Sequence, residues 1–411
     1  MSTRTNIEWC DSTFNGWTGC TAISAACDHC YAEAWSKRAG SRVGKWGPGA
    51  PRVRTSAALW RDPVRWNDTP FWACPCGWRG TSKEMVLRDD GHGAWVACPN
   101  CGAGAFTPAR RRVFTASLGD YLDNEVPLEW LADLLDLIRK TPSLDWLMLT
   151  KRVGNWGKRL AGAIEISKAS KPDLASWLER WVAGEAPENV WLGITVCNQV
   201  EAERDIVKLL SIPARIRFLS VEPMLGAINL ERACDLAEET LCAQRTWTEM
   251  ADAQLCLRAH RRGSVGMIDW VICGAESGPG ARPMHPEWAR RLRDQCLEAD
   301  TPFLFKQWGE WIPISQLSEV EDRALWKSRV QAKPHEDQEA LDEIHGRRCT
   351  VDLRVVHLDG YVHGPLEVNA FPPGAMTVYK LGKQKSGRLL DGEEHNGFPA
   401  AADLPMGRQA A

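Results

Sequence analysis

The chain has 411 residues, 44% of them hydrophobic and 25% charged, and a net charge of −3. That length exceeds what one compact domain usually needs, so a core domain with insertions is the natural expectation. The near-neutral balance gives no global field that would draw the protein to nucleic acid; such contact would need local patches such as Arg110-Arg111-Arg112 or Arg261-Arg262. The N-terminal residues lack an apolar signal core, and no run is long enough to cross a membrane. A cytoplasmic location is therefore expected, where 15 cysteines read as metal ligands and buried thiols rather than disulfides.

In chain order, Asn6-Ile-Glu-Trp9 reads as a short strand, and 11–19 as a polar and aromatic lead into a cysteine loop. That loop holds Cys20, Cys27 and Cys30 at spacing Cys-x6-Cys-x2-Cys. A closed structural zinc site wants four protein ligands. Three thiolates suit a [4Fe–4S] cluster with one open iron, where S-adenosylmethionine could chelate and radical chemistry begin. The competing reading is a zinc or disulfide knuckle with Cys10 as fourth ligand. A helix over Tyr31–Ala39 follows, ended by Gly40. His29, Tyr31 and Glu33 either shield the cluster or merely face solvent and pack.

Residues 66–110 read as a zinc-ribbon-like insertion. Cys74-Pro-Cys76-Gly and Cys98-Pro-Asn-Cys101-Gly are two knuckles whose turns aim paired sulfurs at one metal, and together they supply the four thiolates of structural zinc. Trp72, Trp78, Arg79 and Trp95 either stack on bases or cover a small ribbon core.

Beyond the insertion, short apolar strands alternate with helices: strands at 112–117, 145–150, 189–195, 216–220, 269–273 and 302–305, helices at 127–140, 155–185, 199–210 and 286–299. This alternation predicts an α/β fold with a parallel sheet, a partial or closed (β/α) barrel spanning 1–314. A helical insertion is expected at 227–266. A C-terminal extension at 315–411, with a strand at 353–358, is expected to pack on the barrel and to be disordered at its end.

Functional residues of such folds collect where strands end. Ser117 and Asp120 follow one strand; Thr150, Lys151 and Arg152 the next; Thr195 and Asn198 the next. These seven are the candidate binders of S-adenosylmethionine. Glu222, Glu276 and Lys306, from later strands, are candidates for handling the substrate, with Arg282 as an anion partner. A metal-dependent hydrolase fits less well, because the nine histidines form no His-x-His or His-Glu-x-x-His pattern.

Several stretches carry a family resemblance: Ile7 to Cys20 with Cys27-x2-Cys30-Tyr31, Leu149-Thr-Lys-Arg152, Val190-Trp-Leu-Gly193, Phe218-Leu-Ser-Val-Glu-Pro223, Gly274 to Pro283, Phe305-Lys-Gln-Trp-Gly309 and Gly387-Arg-Leu-Leu-Asp-Gly392. Together they resemble a phage-associated three-cysteine-motif family of unknown function, itself similar to radical S-adenosylmethionine enzymes. The resemblance implies a phage or prophage context, a [4Fe–4S] cluster and an electron donor such as flavodoxin or ferredoxin. The sequence departs from the usual radical-enzyme loop in its longer first gap, and it carries Cys10 where threonine is usual. Two functions follow as expectations. One is a radical S-adenosylmethionine enzyme acting on a nucleotide, nucleic acid or other biomolecule. The other is a zinc-stabilised nucleic-acid-binding module without catalysis.

Overall fold

The computed structural model describes residues 4–39, 43–91, 93–244, 263–365 and 372–399. Its first strand begins later than expected. Asn6–Trp9 is a bend and turn, and strand β1 is Ser12–Phe14. The cause lies in two neighbouring side chains. Trp9 turns inward, its ring 4.5 Å from that of Phe114. The Asp11 amide donates to Arg112 O at 2.9 Å, and the Asp11 carboxylate accepts the Arg112 amide at 2.8 Å.

The other main strands lie close to their expected positions: β2 Arg111–Thr115, β3 Leu144–Thr150, β4 Val190–Thr195, β5 Ile216–Val221, β6 Trp270–Gly274 and β7 Phe303–Gln307. They form a seven-stranded sheet in chain order, and the pairings β1–β2, β2–β3, β3–β4 and β6–β7 are all parallel. Helix α1 is Tyr31–Ala39, α2 Leu128–Lys140, α3 Trp156–Ser170, α4 Pro172–Val182, α5 Gln199–Leu210, α6 Leu230–Gln244 and α7 Pro286–Glu298. The protein is thus mixed α/β. The stretch 155–185, expected as one helix, is two. Pro172 cannot donate into a preceding turn and starts α4 instead. The remainder of the helical insertion expected at 227–266, at 245–262, lies outside the described residues, as do the arginines of the 261–262 patch, Gly40 and the chain end at 400–411.

The chain forms two compact units. The first comprises residues up to 195 with 207–218 and 240–244, and so holds β1 to β4 and the start of β5. Its interior is aromatic: Phe14 meets Trp146 edge-on at 5.7 Å, and Trp9 lies 6.3 Å from Phe218. Gly193 is demanded by this packing, since a Cβ there would lie 2.2 Å from the Phe218 ring. Of the stripe Leu174, Trp177, Leu178 and Trp181 that helical spacing places on one face of α4, three residues are fully buried and Trp177 is half-buried.

The insertion belongs to this unit. Strands Phe71–Ala73, Arg79–Thr81 and Thr107–Pro108 make one small sheet, and Val86–Asp89 with Ala94–Ala97 make another. Two arginines dock it at the start of β2. Arg79 clasps Asp11 with Nε and Nη2 at 3.0–3.2 Å. The Arg111 guanidinium sits over Phe71 and Trp66, at 4.7 and 5.5 Å.

The second unit comprises 196–206, 219–239 and 263–399, and holds the end of β5 with β6 and β7. The extension contributes an antiparallel sheet of β8 Trp311–Pro313, β9 Leu353–Val356, β10 Val362–His363 and β11 Met376–Lys380 in the order β8-β11-β9-β10. Within this extension, the described residues 315–365 therefore carry more regular structure than their charged composition suggests. Further on, the chain lies antiparallel against β7: the Phe305 amide donates to His395 O and the Gly397 amide to Phe303 O, both at 2.9 Å. The indoles of Trp270 and Trp308 donate to Gly397 O and Leu389 O at 2.7 Å. An otherwise open strand edge is thereby covered.

Asp391 locks this tail. Its carboxylate accepts from Arg290, Arg293 and Gln316 at 2.6–3.0 Å, and the Arg290 guanidinium holds the carboxyl well below the usual carboxylate range. A depressed folded-state value means that the stabilisation is present above the unfolded value, about 3.9, and is lost only as pH falls below it toward the folded value. The group is a third exposed, so screening limits its worth to about 1 kcal/mol. Asp391→Asn should therefore speed hydrogen exchange at the Phe305 and Gly397 amides at neutral pH. In the wild type the same acceleration should appear only below about pH 4. Unchanged exchange in the variant would show that the lock does not hold the tail.

Candidate functional site

The three-cysteine loop leaves β1 through a short strand, Trp17–Thr18, and a tight turn at Gly19. Gly19 has φ +106, and a Cβ there would meet Lys45 O at 2.8 Å, so only glycine fits. Cys20 then pairs with Trp46 in an isolated bridge. Cys27 ends a single 3-10 turn begun by Ser24, whose hydroxyl caps Ala26 N at 3.1 Å. Cys30 immediately precedes α1. All three cysteines are half-buried.

Two arginines hold the start of the loop through Thr21. Arg52, whose side chain is 1% exposed, pairs with Asp123 at 2.8 Å and Glu125 at 3.0 Å. It also donates to Thr21 Oγ1 at 2.7 Å and Ala50 O at 2.8 Å. Arg152 donates to Thr21 O at 2.5 Å, and the same nitrogen lies 3.7 Å from Cys20 Sγ. Burial, and then the Asp120 carboxylate, push the Cys20 thiol up to about 11 against the opposing pull of Arg152. A thiol so placed becomes a thiolate only when more positive charge arrives, as a bound metal would supply.

The residues expected to bind S-adenosylmethionine come together in part, and several already have structural work. Asp120 is buried and accepts Thr150 Oγ1 at 2.7 Å and the amides of Leu122 and Lys151, both at 2.9 Å. Thr150 in turn accepts the Arg152 amide at 2.8 Å. Asp120 and Thr150 therefore shape the ends of β2 and β3 with their side chains. Ser117 Oγ accepts Asn15 Nδ2 at 2.9 Å, and Ser117 O accepts the exposed Tyr31 hydroxyl at 2.7 Å, tying α1 to the end of β2. Lys151 Nζ reaches Thr195 Oγ1 at 3.4 Å, which joins the ends of β3 and β4. Asn198 belongs to the second unit and caps α5, its Oδ1 accepting Glu201 N at 3.0 Å.

Within the second unit, Glu222 and Lys306 form an ion pair of 3.1 Å. Gly274 makes room for it: a Cβ there would lie 2.6 Å from Glu222 Oε1. Glu276 is engaged with Arg282 instead, accepting its backbone and guanidinium nitrogens at 2.7–3.0 Å.

The cysteines of the insertion converge fully. The sulfurs of Cys74, Cys76, Cys98 and Cys101 all lie within 4.8 Å of one another, with Cys74–Cys101 and Cys76–Cys98 at 3.6 Å. A tetrahedral zinc with bonds near 2.3 Å spaces its sulfurs by about 3.8 Å. The set can therefore hold a metal ion such as zinc. Trp72 and Trp78 pack around it in the ribbon-core role, joined by Phe106, whereas Trp95 is exposed. The metal-capable group and the three-cysteine loop attach at opposite ends of β2. Arg111 at its start sits over Phe71 of the insertion, while Leu118 O beyond its end accepts the Gly19 amide at 3.1 Å. Cys10 lies with the first of these ends, within electrostatic reach of Arg112.

Sequence reasoning passed over Arg52, Asp123 and Asn15. A lone Arg-Val pair after proline carries no motif, and its partner stands 71 positions away. Among the described residues, no helix is long and apolar enough to cross a membrane.

Fold and site define a mixed α/β protein with a three-cysteine loop and a separate metal-capable four-cysteine ribbon. The chain belongs to DUF5131, a family of proteins of unknown function, whose model matches residues 4–399. No curated protein and no solved structure matches it.

Proposed function

We propose that this protein is a radical S-adenosylmethionine-type enzyme, with a [4Fe–4S] cluster held by Cys20, Cys27 and Cys30 and a structural zinc held by Cys74, Cys76, Cys98 and Cys101. The observation that carries the reading is the double arginine clamp. Arg52 and Arg152 fix a loop bearing three thiols and place a guanidinium beside Cys20. A loop that must present three sulfurs to one group needs its start anchored in this way. A cluster held by these thiols would pass one electron, received from a donor such as flavodoxin or ferredoxin, to break a carbon–sulfur bond of the S-adenosylmethionine sulfonium.

The chain's own residues divide the remaining work. Arg152 donates toward Cys20 Sγ and stabilises it as a thiolate. Asp120 and Thr150 hold the strand ends on which Lys151 stands, and Lys151 with Thr195 offers a cation and a hydroxyl to the carboxylate of S-adenosylmethionine. Ser117 is fixed by Asn15 and Tyr31, and it sets the loop that follows β2. In the second unit, Glu222 and Lys306 offer a carboxylate and an ammonium to a nucleotide or other polar substrate.

Cys27→Ala tests the reading, since Cys27 is half-buried and its loss leaves the clamp intact. The variant should lose the brown colour and iron of anaerobically prepared protein, and with them dithionite-dependent cleavage of S-adenosylmethionine, while keeping its zinc. Full iron content in the variant would sink the proposal.

A further inference from the structure

The antiparallel sheet of the second unit carries a pair of histidines that the reading above does not use. β9 ends at Val356 and β10 is Val362–His363. The turn between them is closed by His357 N donating to Tyr361 O at 2.9 Å and Gly360 N to His357 O at 3.1 Å. His363 is buried, and its Nδ1 lies 2.6 Å from Gly364 O. Only an N–H can sit that close to a carbonyl oxygen, so the proton of the neutral ring is on Nδ1 and Nε2 presents a lone pair. That Nε2 lies 2.9 Å from His357 Nε2. The Tyr361 ring flanks both imidazoles at 5.3 and 5.6 Å.

We propose that His357 and His363 form a second metal site, for a divalent transition ion with right-angled coordination such as Ni²⁺ or Cu²⁺. Two imidazole nitrogens about 2.0–2.1 Å from one ion stand about 2.9 Å apart at a right angle and about 3.4 Å apart at a tetrahedral angle. The observed spacing matches the right-angled value, and it is equally the length of the N–H···N hydrogen bond that joins the pair without metal. The carbonyl bound to His363 Nδ1–H is the outer-shell partner that ligating histidines regularly have, fixing both tautomer and ring orientation. Without metal, the His357 Nε2–H donates to His363 Nε2. When the ion enters, that proton moves to His357 Nδ1 through solvent, both rings stay neutral, and the ion takes its place between the two nitrogens. Water fills the other positions, since no third His, Cys, Asp or Glu ligand joins the pair among the described residues. The site is independent of the cluster assignment.

The test is a calorimetric titration of zinc-loaded, full-length protein with Ni²⁺ at neutral pH, followed by Cu²⁺ and electron paramagnetic resonance. The wild type should take up about one Ni²⁺ per chain, and its Cu²⁺ spectrum should show coupling to two imidazole nitrogens. His357→Ala, at a half-buried turn position, should weaken uptake about tenfold or more. His363→Ala should do the same, and because this side chain is buried its circular dichroism is compared with wild type. No Ni²⁺ uptake by the wild type, or uptake unchanged in His357→Ala, would overturn the assignment.

Discussion

Replacing Arg52 with leucine should cost about 3–5 kcal/mol of stability and release the three-cysteine loop, because it strips the partner from a buried carboxylate. Asp123 is 2% exposed beside it, and Thr21 Oγ1 and Ala50 O lose their guanidinium donor. Glu125 loses a partner too, but it is a third exposed and water compensates it. Denaturant unfolding would measure the loss, and hydrogen exchange would localise it to residues near Gly47 and Thr21. Adding Asp123→Leu should recover part of the loss, since the penalty lies in the stranded charge rather than in the pair itself. A loss below about 1 kcal/mol in the single variant would mean that the clamp is not structural.

Cys98→Ala should have an effect as large but confined to the insertion. Cys98 is 0% exposed and Cys74 5%, so these two sulfurs lie inside the ribbon core with Trp72, Trp78 and Phe106. The small sheets there bury too little apolar surface to fold alone, and metal binding in such modules is folding free energy, about 10 kcal/mol or more for structural zinc. The variant should lose its zinc and the protection of the amides in the two small sheets. The strands β2 to β4 should keep theirs, since the docking contacts of Arg79 and Arg111 lie at the margin of the sheet. A ribbon that keeps its protection without zinc would mean that packing alone holds it.

These two cases also show what the sequence could reveal. The four-cysteine group was legible because two Cys-Pro turns force their sulfurs together locally, and pairing two such turns leaves few arrangements. Strands β2 to β7 were legible because each is built on a short apolar run between turn residues. The start of the sheet was not, because Asn6–Trp9 has a strand's composition but Trp9 is spent on packing against Phe114. The strand ends were read correctly as places where polar residues gather. Spacing could not say which of those groups are consumed. Asp120 accepts three donors from its own chain, Asn198 caps a helix and Glu276 is folded onto Arg282. The Arg52–Asp123 pair was invisible because it depends on a contact between distant segments that no local pattern records.

The central claim is that the three thiols hold an iron–sulfur cluster while the other four hold zinc. Iron, acid-labile sulfide and zinc should therefore be measured together on anaerobically purified wild-type protein. The account predicts about four iron and four sulfide per chain alongside about one zinc. Zinc alone, with iron and sulfide near zero even after anaerobic reconstitution, would contradict it and leave the three-cysteine loop a structural feature.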